Sequence, residues 1–252
     1  MQRAIAGLGP GLALVAVASL APLGGGCVAD GSDGGILVLR NVHADSNCMT
    51  SASETETSVA SGNLDLLSPG GGYLFIAQLK SRITAVTGQE DQRTIITRGA
   101  NIDITFPDSA VFTAAELADL KASHLTHFMQ PFAASLAPNG GIVDAPFELI
   151  TTDLAARIAA KTDPTRSFSV QAVATFTVVG DMSGQSVSSQ AFTFPVTIGN
   201  KLTVNLLGTC PLAKGSATPR PGYACNPGQD GIVDCCGTLG APLTCPAIVS
   251  TL

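Results

Sequence analysis

No tryptophan occurs in the 252 residues, and tyrosine occurs only at Tyr73 and Tyr223. Carbohydrate sites stack sugar rings on aromatic faces, so this scarcity speaks against one. It also removes the buried tryptophan that marks antibody-type domains. Charge is scarce as well: Asp, Glu, Lys and Arg make up 13% of the chain, about half the usual share. The 13 Lys+Arg are outnumbered by 19 Asp+Glu, for a net charge of −6. With no Lys/Arg cluster the chain has no grip on a phosphate backbone, which excludes a nucleic-acid partner, and no electrostatic attraction to an anionic lipid surface. Histidine is limited to His43, His124 and His127, so a catalytic triad or zinc site would have to draw on those three. Gly-x-Ser-x-Gly, His-Glu-x-x-His, the Walker loop and a Gly-x-Gly-x-x-Gly following a strand are all missing.

Apolar residues are plentiful, at 45%. That is enough to bury a core in one or two domains. The first long apolar run is an address. Met1-Gln2-Arg3 carries one positive side chain, and Gly11 to Leu23 is uncharged. Spanning a membrane needs about 20 apolar residues, so this shorter run reads as the core of a secretory signal. Leu23-Gly24-Gly25-Gly26-Cys27 follows. Small residues ending in cysteine resemble a bacterial lipobox, with Cys27 lipidated as the mature N-terminus, although Gly24 stands where a lipobox usually has leucine. The alternative is ordinary signal cleavage near Ala21 or Gly26, leaving Cys27 as a thiol. Seven cysteines are present. Setting Cys27 aside leaves six, Cys48, Cys210, Cys225, Cys235, Cys236 and Cys245, which in an exported chain read as up to three disulfides. Val28 to Gly35 is rich in Gly, Ser and Asp, the composition of a flexible tether.

The body alternates with a period of two, the signature of half-buried strands. Phe168 to Val179 places Phe168, Val170, Ala172, Ala174, Phe176 and Val178 on one face. Across Gly180–Gly184, a second strand from Ser188 to Ile198 puts Phe192, Phe194, Val196 and Ile198 together. Pro195 removes a ladder donor, which places that strand at an edge or a bulge. A hairpin is expected at Pro138-Asn139-Gly140-Gly141, joining Phe128–Leu136 to Val143–Leu149, because Asn-Gly supplies positive φ. A third hairpin is expected to join Asn63–Leu67 to Tyr73–Leu79. Further strands are Ile36–Leu39 and Ala100–Phe106, with Ile95-Ile96 and Leu202–Leu207 as weaker candidates. Two short helices are expected. Thr113-Ala114-Ala115-Glu116 matches a capping box, with Leu117, Leu120 and His124 on one face. Thr152 to Ile158 opens the other, with Leu154 and Ile158, and Asp153 and Arg157, four apart. The expected fold is mostly β: an antiparallel β-sandwich of immunoglobulin-like, Greek-key type, with two short helices and a disulfide-rich C-terminal segment. The expected layout is a signal peptide over 1–26, a tether over 27–34, the sandwich over 35–207 and the Cys/Gly/Pro-rich segment over 208–252.

Five cysteines fall between Cys210 and Cys245. Adjacent Cys235 and Cys236 rarely bond each other. If Cys48 is paired, it staples the C-terminal segment to the first half of the body. Within Asn226–Cys235, the oxygen-bearing Asn226, Asp230 and Asp234 are candidates for calcium and resemble the Asp-Gly loops of thrombospondin type 3 repeats. A hard cation wants six to eight oxygens, and a plain Asp-Gly turn accounts for the stretch with fewer demands. His124 and His127 would share a helical face but take opposite faces of a strand, and no acid or cysteine adjoins them in sequence. Glu54 and Glu56 sit in a Ser/Thr/Glu loop that reads as solvated. Ser183 beside Asp181 is a nucleophile candidate that still needs a histidine base.

Several short segments together resemble uncharacterised outer-membrane lipoproteins of myxobacterial type. They are the Cys27 lipobox, Leu37-Val38-Leu39-Arg40-Asn41, Cys48, Ser61-Gly62-Asn63-Leu64-Asp65, Gly72-Tyr73-Leu74, Phe192-x-Phe194-Pro195-Val196, Gly228-Gln229-Asp230 and Asp234-Cys235-Cys236. The resemblance implies export, an anchor and a β-rich body, and it carries no known activity. The expectation is therefore a non-enzymatic, cofactor-free binding, adhesion or structural protein of the cell envelope. Cys27 would tie it to the membrane, outer rather than inner since Val28 is not the aspartate of inner-membrane retention, and its partner would be an envelope protein or ligand. The rival expectations are an exported hydrolase and a calcium-stabilised surface module.

Overall fold

The computed structural model describes residues 33–68, 71–85, 93–107 and 111–250. The expected signal peptide, Cys27 and nearly all of the tether lie outside them. Along the chain come β1 (Asp33–Val42), β2 (Ser58–Val59), β3 (Gly62–Asp65), β4 (Tyr73–Ser81), β5 (Ile95–Thr105), α1 (Ala114–Ala122), β6 (His127–Pro131), β7 (Ser135–Leu136) and β8 (Ile142–Ile150). There follow α2 (Thr152–Ala159), β9 (Phe168–Met182), β10 (Gln185–Ser189), β11 (Phe192–Asn200), β12 (Val204–Leu206) and β13 (Val233–Cys235). The protein is mostly β, with two helices and a disulfide-bonded C-terminal segment.

The main sheet runs β3-β11-β9-β10-β1-β4-β8, with β5 on the other edge of β9, β6 and β7 on β5, and β2 on β1. The long β9 organises it. Its first part, Phe168–Phe176, pairs with β11 and its last part, Val179–Met182, with β10, while Val173–Met182 pairs with β5 on the opposite side. Phenylalanine rings tie distant strands together. Phe75 of β4 lies 5.1 Å from Phe176 of β9, 5.0 Å from Phe194 of β11 and 5.4 Å from Phe147 of β8. Offset and edge-on rings at such distances add to the burial term. Helix α1 keeps its capping box, with Thr113 and Glu116 serving each other's backbone N–H. Helix α2 is capped by Thr151 and buries Leu154, Ala155 and Ile158.

Several expectations are corrected. The main sheet is mixed rather than antiparallel, since β1–β10 and β3–β11 are parallel, and the separate β12–β13 pair is parallel too. Asn139 and Gly140 do take positive φ, 62° and 82°, but the flanking strands are not a hairpin: β6 and β7 pair with β5, whereas β8 pairs with β4. Nor do β3 and β4 pair, because β3 lies along β11. Alternation identifies a buried face but not the neighbouring strand. Pro195 is not on an edge strand; it pairs with Val173 of β9 and falls one residue before the first β3 partner of β11. The stretch Ser188–Ile198 is two strands, β10 and β11, both antiparallel to β9. The C-terminal segment, as expected if Cys48 is paired, is stapled to the first half of the body. β13 pairs with β12, Leu64 bridges to Gln229, and Cys48 is bonded to Cys225.

Candidate functional site

The docking of the C-terminal segment starts from unmet backbone groups. Opposite β1, the last residue of β4 is Ala77. Beyond it, towards Tyr73, the amides of β4 on that side have no strand to bond, and a buried amide without a partner is costly. Side-chain amides stand in for the missing strand. Asn41 Oδ1 accepts from Ile76 N at 3.0 Å. Gln229 Oε1 accepts from Leu74 N at 2.8 Å, and its Nε2 donates to Leu74 O at 2.6 Å. Both residues are buried, Asn41 at 2% and Gln229 at 1% exposure.

Asp230 closes the arrangement. Its backbone takes φ 53°, a conformation aspartate tolerates better than most residues. Its Oδ1 accepts from Asn63 N at 2.7 Å and its Oδ2 from the Tyr73 hydroxyl at 2.7 Å. Asn41 Nδ2 in turn donates to the Tyr73 oxygen at 3.2 Å. Burial pushes the Asp230 carboxyl above its ordinary range despite these donors. Burial first, and then the Asp230 charge, push the Tyr73 hydroxyl far up. Close by, Asp65 Oδ2 accepts from Thr203 N and Val204 N, each at 2.9 Å.

Over this polar seam lies Tyr223. It packs with Val42, Ala44 and Ile76, accepts from Ala44 N at 3.1 Å, and sits 4.4 Å from the His43 ring. His43 and Tyr223 face a groove of about 340 Å³ whose walls include Pro221, Pro227 and Pro246. A second groove of about 390 Å³ adjoins it through His43, Ala44 and Asp45, and is lined further by Met49 and Glu56. Backbone N–H groups of Met49 and Asn47 hold the Asp45 carboxyl below its ordinary range. Burial works against Glu56, but hydrogen bonds from Ser51 and its neighbours outweigh it and keep that carboxyl low. Beneath the loop, Gln78 donates from Nε2 to Ser53 O, Glu56 and Asp144, and accepts at Oε1 from Arg40. Glu54 is thus tied down by Lys80 at 2.6 Å and Glu56 by Ser51 and Gln78, rather than merely solvated.

The six cysteines other than Cys27 form Cys48–Cys225, Cys210–Cys236 and Cys235–Cys245. The calcium candidates are not gathered as one ligand set. Asn226 donates to Gly72 O, Asp230 belongs to the Tyr73 seam, and Asp234 is taken by Arg220 and Asn205. Arg220 holds the Asp234 carboxyl far below its ordinary range. Among the described residues no group of three or more His, Cys, Asp and Glu could hold a metal ion. His127 lies on β6 with Nδ1 2.5 Å from Asp103 Oδ1, directly across from β5, and both side chains are more than half exposed. His124 instead takes a positive φ just past the end of α1. Asp181 is ion-paired with Arg98 at 3.1 Å, and Ser183 sits in the turn between β9 and β10.

Sequence reasoning missed Asn41, Tyr73, Asp65 and Gln229 as a unit, since their positions are more than 150 residues apart at the extremes. Asn41, Asp65 and Tyr73 offer only a polar group within a strand as a local signal, and Gln229 lies in a turn. Five residues of the short segments named above meet at this seam: Asn41, Asn63, Tyr73, Gln229 and Asp230. No family model, curated protein or solved structure matches the chain.

Proposed function

We propose that this is an exported, lipid-anchored protein of the bacterial cell envelope with a non-enzymatic binding or structural role, and that the paired grooves around His43 and Tyr223 are its contact surface. The observation that carries the reading is the cysteine pairing. Six of the seven cysteines close three disulfides, as befits an oxidising compartment. Cys27 is left over, at the position where a lipoprotein signal ends. The sheet edges favour a groove over strand addition as the mode of contact. β8, last in the strand path, carries Pro146, β6 ends in Pro131, and the outer side of β3 is bridged to Gln229. Proline withdraws the donor that an added strand would need.

Among the described residues the Asp103–His127 pair is the one arrangement that favours the hydrolase reading, since a carboxylate on Nδ1 orients a general base. Its open strand face favours the binding reading instead. Intact mass of protein taken from its native membrane, before and after reduction and alkylation, is the test. The expected mass is that of residues 27–252 plus a diacylglycerol-type adduct, with six thiols alkylating only after reduction. A mass without lipid overturns the anchor, and thiols free before reduction overturn the oxidising compartment.

A further inference from the structure

The three disulfides differ in their access to solvent. Cys235 and Cys236 are fully buried, so the two bonds within the C-terminal segment each have one sulfur out of reach. Cys48 is exposed and Cys225 half-buried, which makes theirs the only one of the three bonds with neither cysteine buried. Cys210 is exposed and Cys245 half-buried, but attack on either must expel the buried Cys236 or Cys235 as a thiolate, a poorer leaving group than the half-buried Cys225, so the burial of the leaving sulfur sets which bond opens first.

The same bond joins the two walls of the His43–Tyr223 groove. His43, Asp45 and Ser46 come from the loop before Cys48, and Pro221, Gly222 and Tyr223 from the segment before Cys225. Cys48 itself is held at φ 58°, the left-handed region that costs a residue with a Cβ. Neither wall needs the disulfide to stay near the sheet. Loop residues Ala52, Ser53 and Glu54 are bonded to Asp144, Gln78 and Lys80, while Gln229 and Asp230 are bonded to β4.

We infer that Cys48–Cys225 is a reducible clamp on the groove, opened by a dithiol reductant ahead of the other two disulfides while the β body stays folded. One thiolate of the reductant attacks Cys48 Sγ. The S–S bond breaks, and Cys225 leaves as a thiolate and takes up a proton. The second thiol of the reductant then displaces Cys48, giving two protein thiols and the reductant's own disulfide, a transfer of two electrons and two protons. The clamp deepens the binding reading because it acts on the same groove, but it does not depend on the lipid. The order in which disulfides open is read apart from the lipid mass, so either can fail alone.

The experiment treats the native protein with graded dithiothreitol, quenches it with iodoacetamide and maps the alkylated peptides. Cys48 and Cys225 should alkylate together, at least about tenfold faster than any other pair. Hydrogen exchange of the singly reduced protein should speed up over 43–49 and 221–227 and stay slow in β5 and β9. Tyrosine emission should shift as well, since both tyrosines of this tryptophan-free chain lie at the seam. Initial alkylation at Cys210, Cys235, Cys236 or Cys245 overturns the clamp, as does reduction of all six with loss of protection in β9. A double C48S, C225S variant supplies the second measurement. It should fold and match the reduced protein in exchange, and a variant that does not fold overturns the inference.

Discussion

At Tyr73 a single oxygen holds two elements together, donating to Asp230 and accepting from Asn41 at full burial. Gly62 packs against the same ring so closely that a methyl there would land on it. Tyr73→Phe keeps the ring and deletes the oxygen, leaving the Asn41 amide without that acceptor and the half-buried Asp230 carboxyl short of a donor. The expected loss is about 1–3 kcal/mol, read as a lower midpoint in urea. Asp230 adds a pH signature. Burial raises its carboxyl above the ordinary value of about 3.9, so the native chain keeps a proton that the unfolded chain has already released. Stability from this group is therefore fully present below the unfolded value and falls as pH rises through the native one. Asp230→Asn loses an acceptor at every pH but carries no such proton. Its deficit against the native protein is expected to be largest below about pH 4 and to narrow as pH rises. Urea unfolding of both proteins across that range checks the sign; a deficit that widens with pH contradicts it.

Among the elements, the two helices separate local signals from packing. Helix α1 has the better cap but buries only Leu120, whereas α2 buries Leu154, Ala155 and Ile158 against the main core. Thr113→Ala should therefore cost about 1 kcal/mol, and Leu154→Ala about 2–5 kcal/mol, both measurable by denaturant unfolding. The helices and most strands were legible because caps and periodicity are local. Pairing was not. Ile95-Ile96 and Ala100–Phe106 read as separate strands because β5 slips phase: Ile95 and Thr97 face inward at odd positions, then Ala100, Ile102 and Ile104 at even ones. The shift lies between Thr97 and Gly99, a bulge no alternation template spans. The Asn139-Gly140 turn was read correctly from its chemistry, yet its strands part to β5 and β4.

Across the whole molecule, the cysteine-rich tail completes the body rather than decorating it. Composition marks residues 208–252 as poor in core, and that much was legible. What the composition hides is that Tyr223 fills an apolar pocket with Val42, Ala44 and Ile76, that Gln229 supplies the missing strand beside Leu74, and that Gly228 O accepts from Asp65 N. Those contacts join residues remote in sequence through groups with no motif, so only the folded chain reveals them. Dependence runs the other way too, since Asn63 O and Thr203 O on the body accept from Asp230 N and Val233 N of the tail, each at 3.0 Å. A chain of residues 33–207 would expose that apolar pocket and leave the Leu74 backbone pair, the Asp65 amide and the Tyr73 hydroxyl without their partners. Each unmet buried group costs about 1–3 kcal/mol, which together approaches the whole stability of an ordinary domain. The truncated chain is therefore expected to be partly unfolded at room temperature, to bind a hydrophobic dye and to lack the sharp melting transition of residues 33–252. A fragment that melts where the longer chain does would make the tail an ornament, and would move the search for a contact surface from the His43–Tyr223 groove to the open face of β5, β6 and β9.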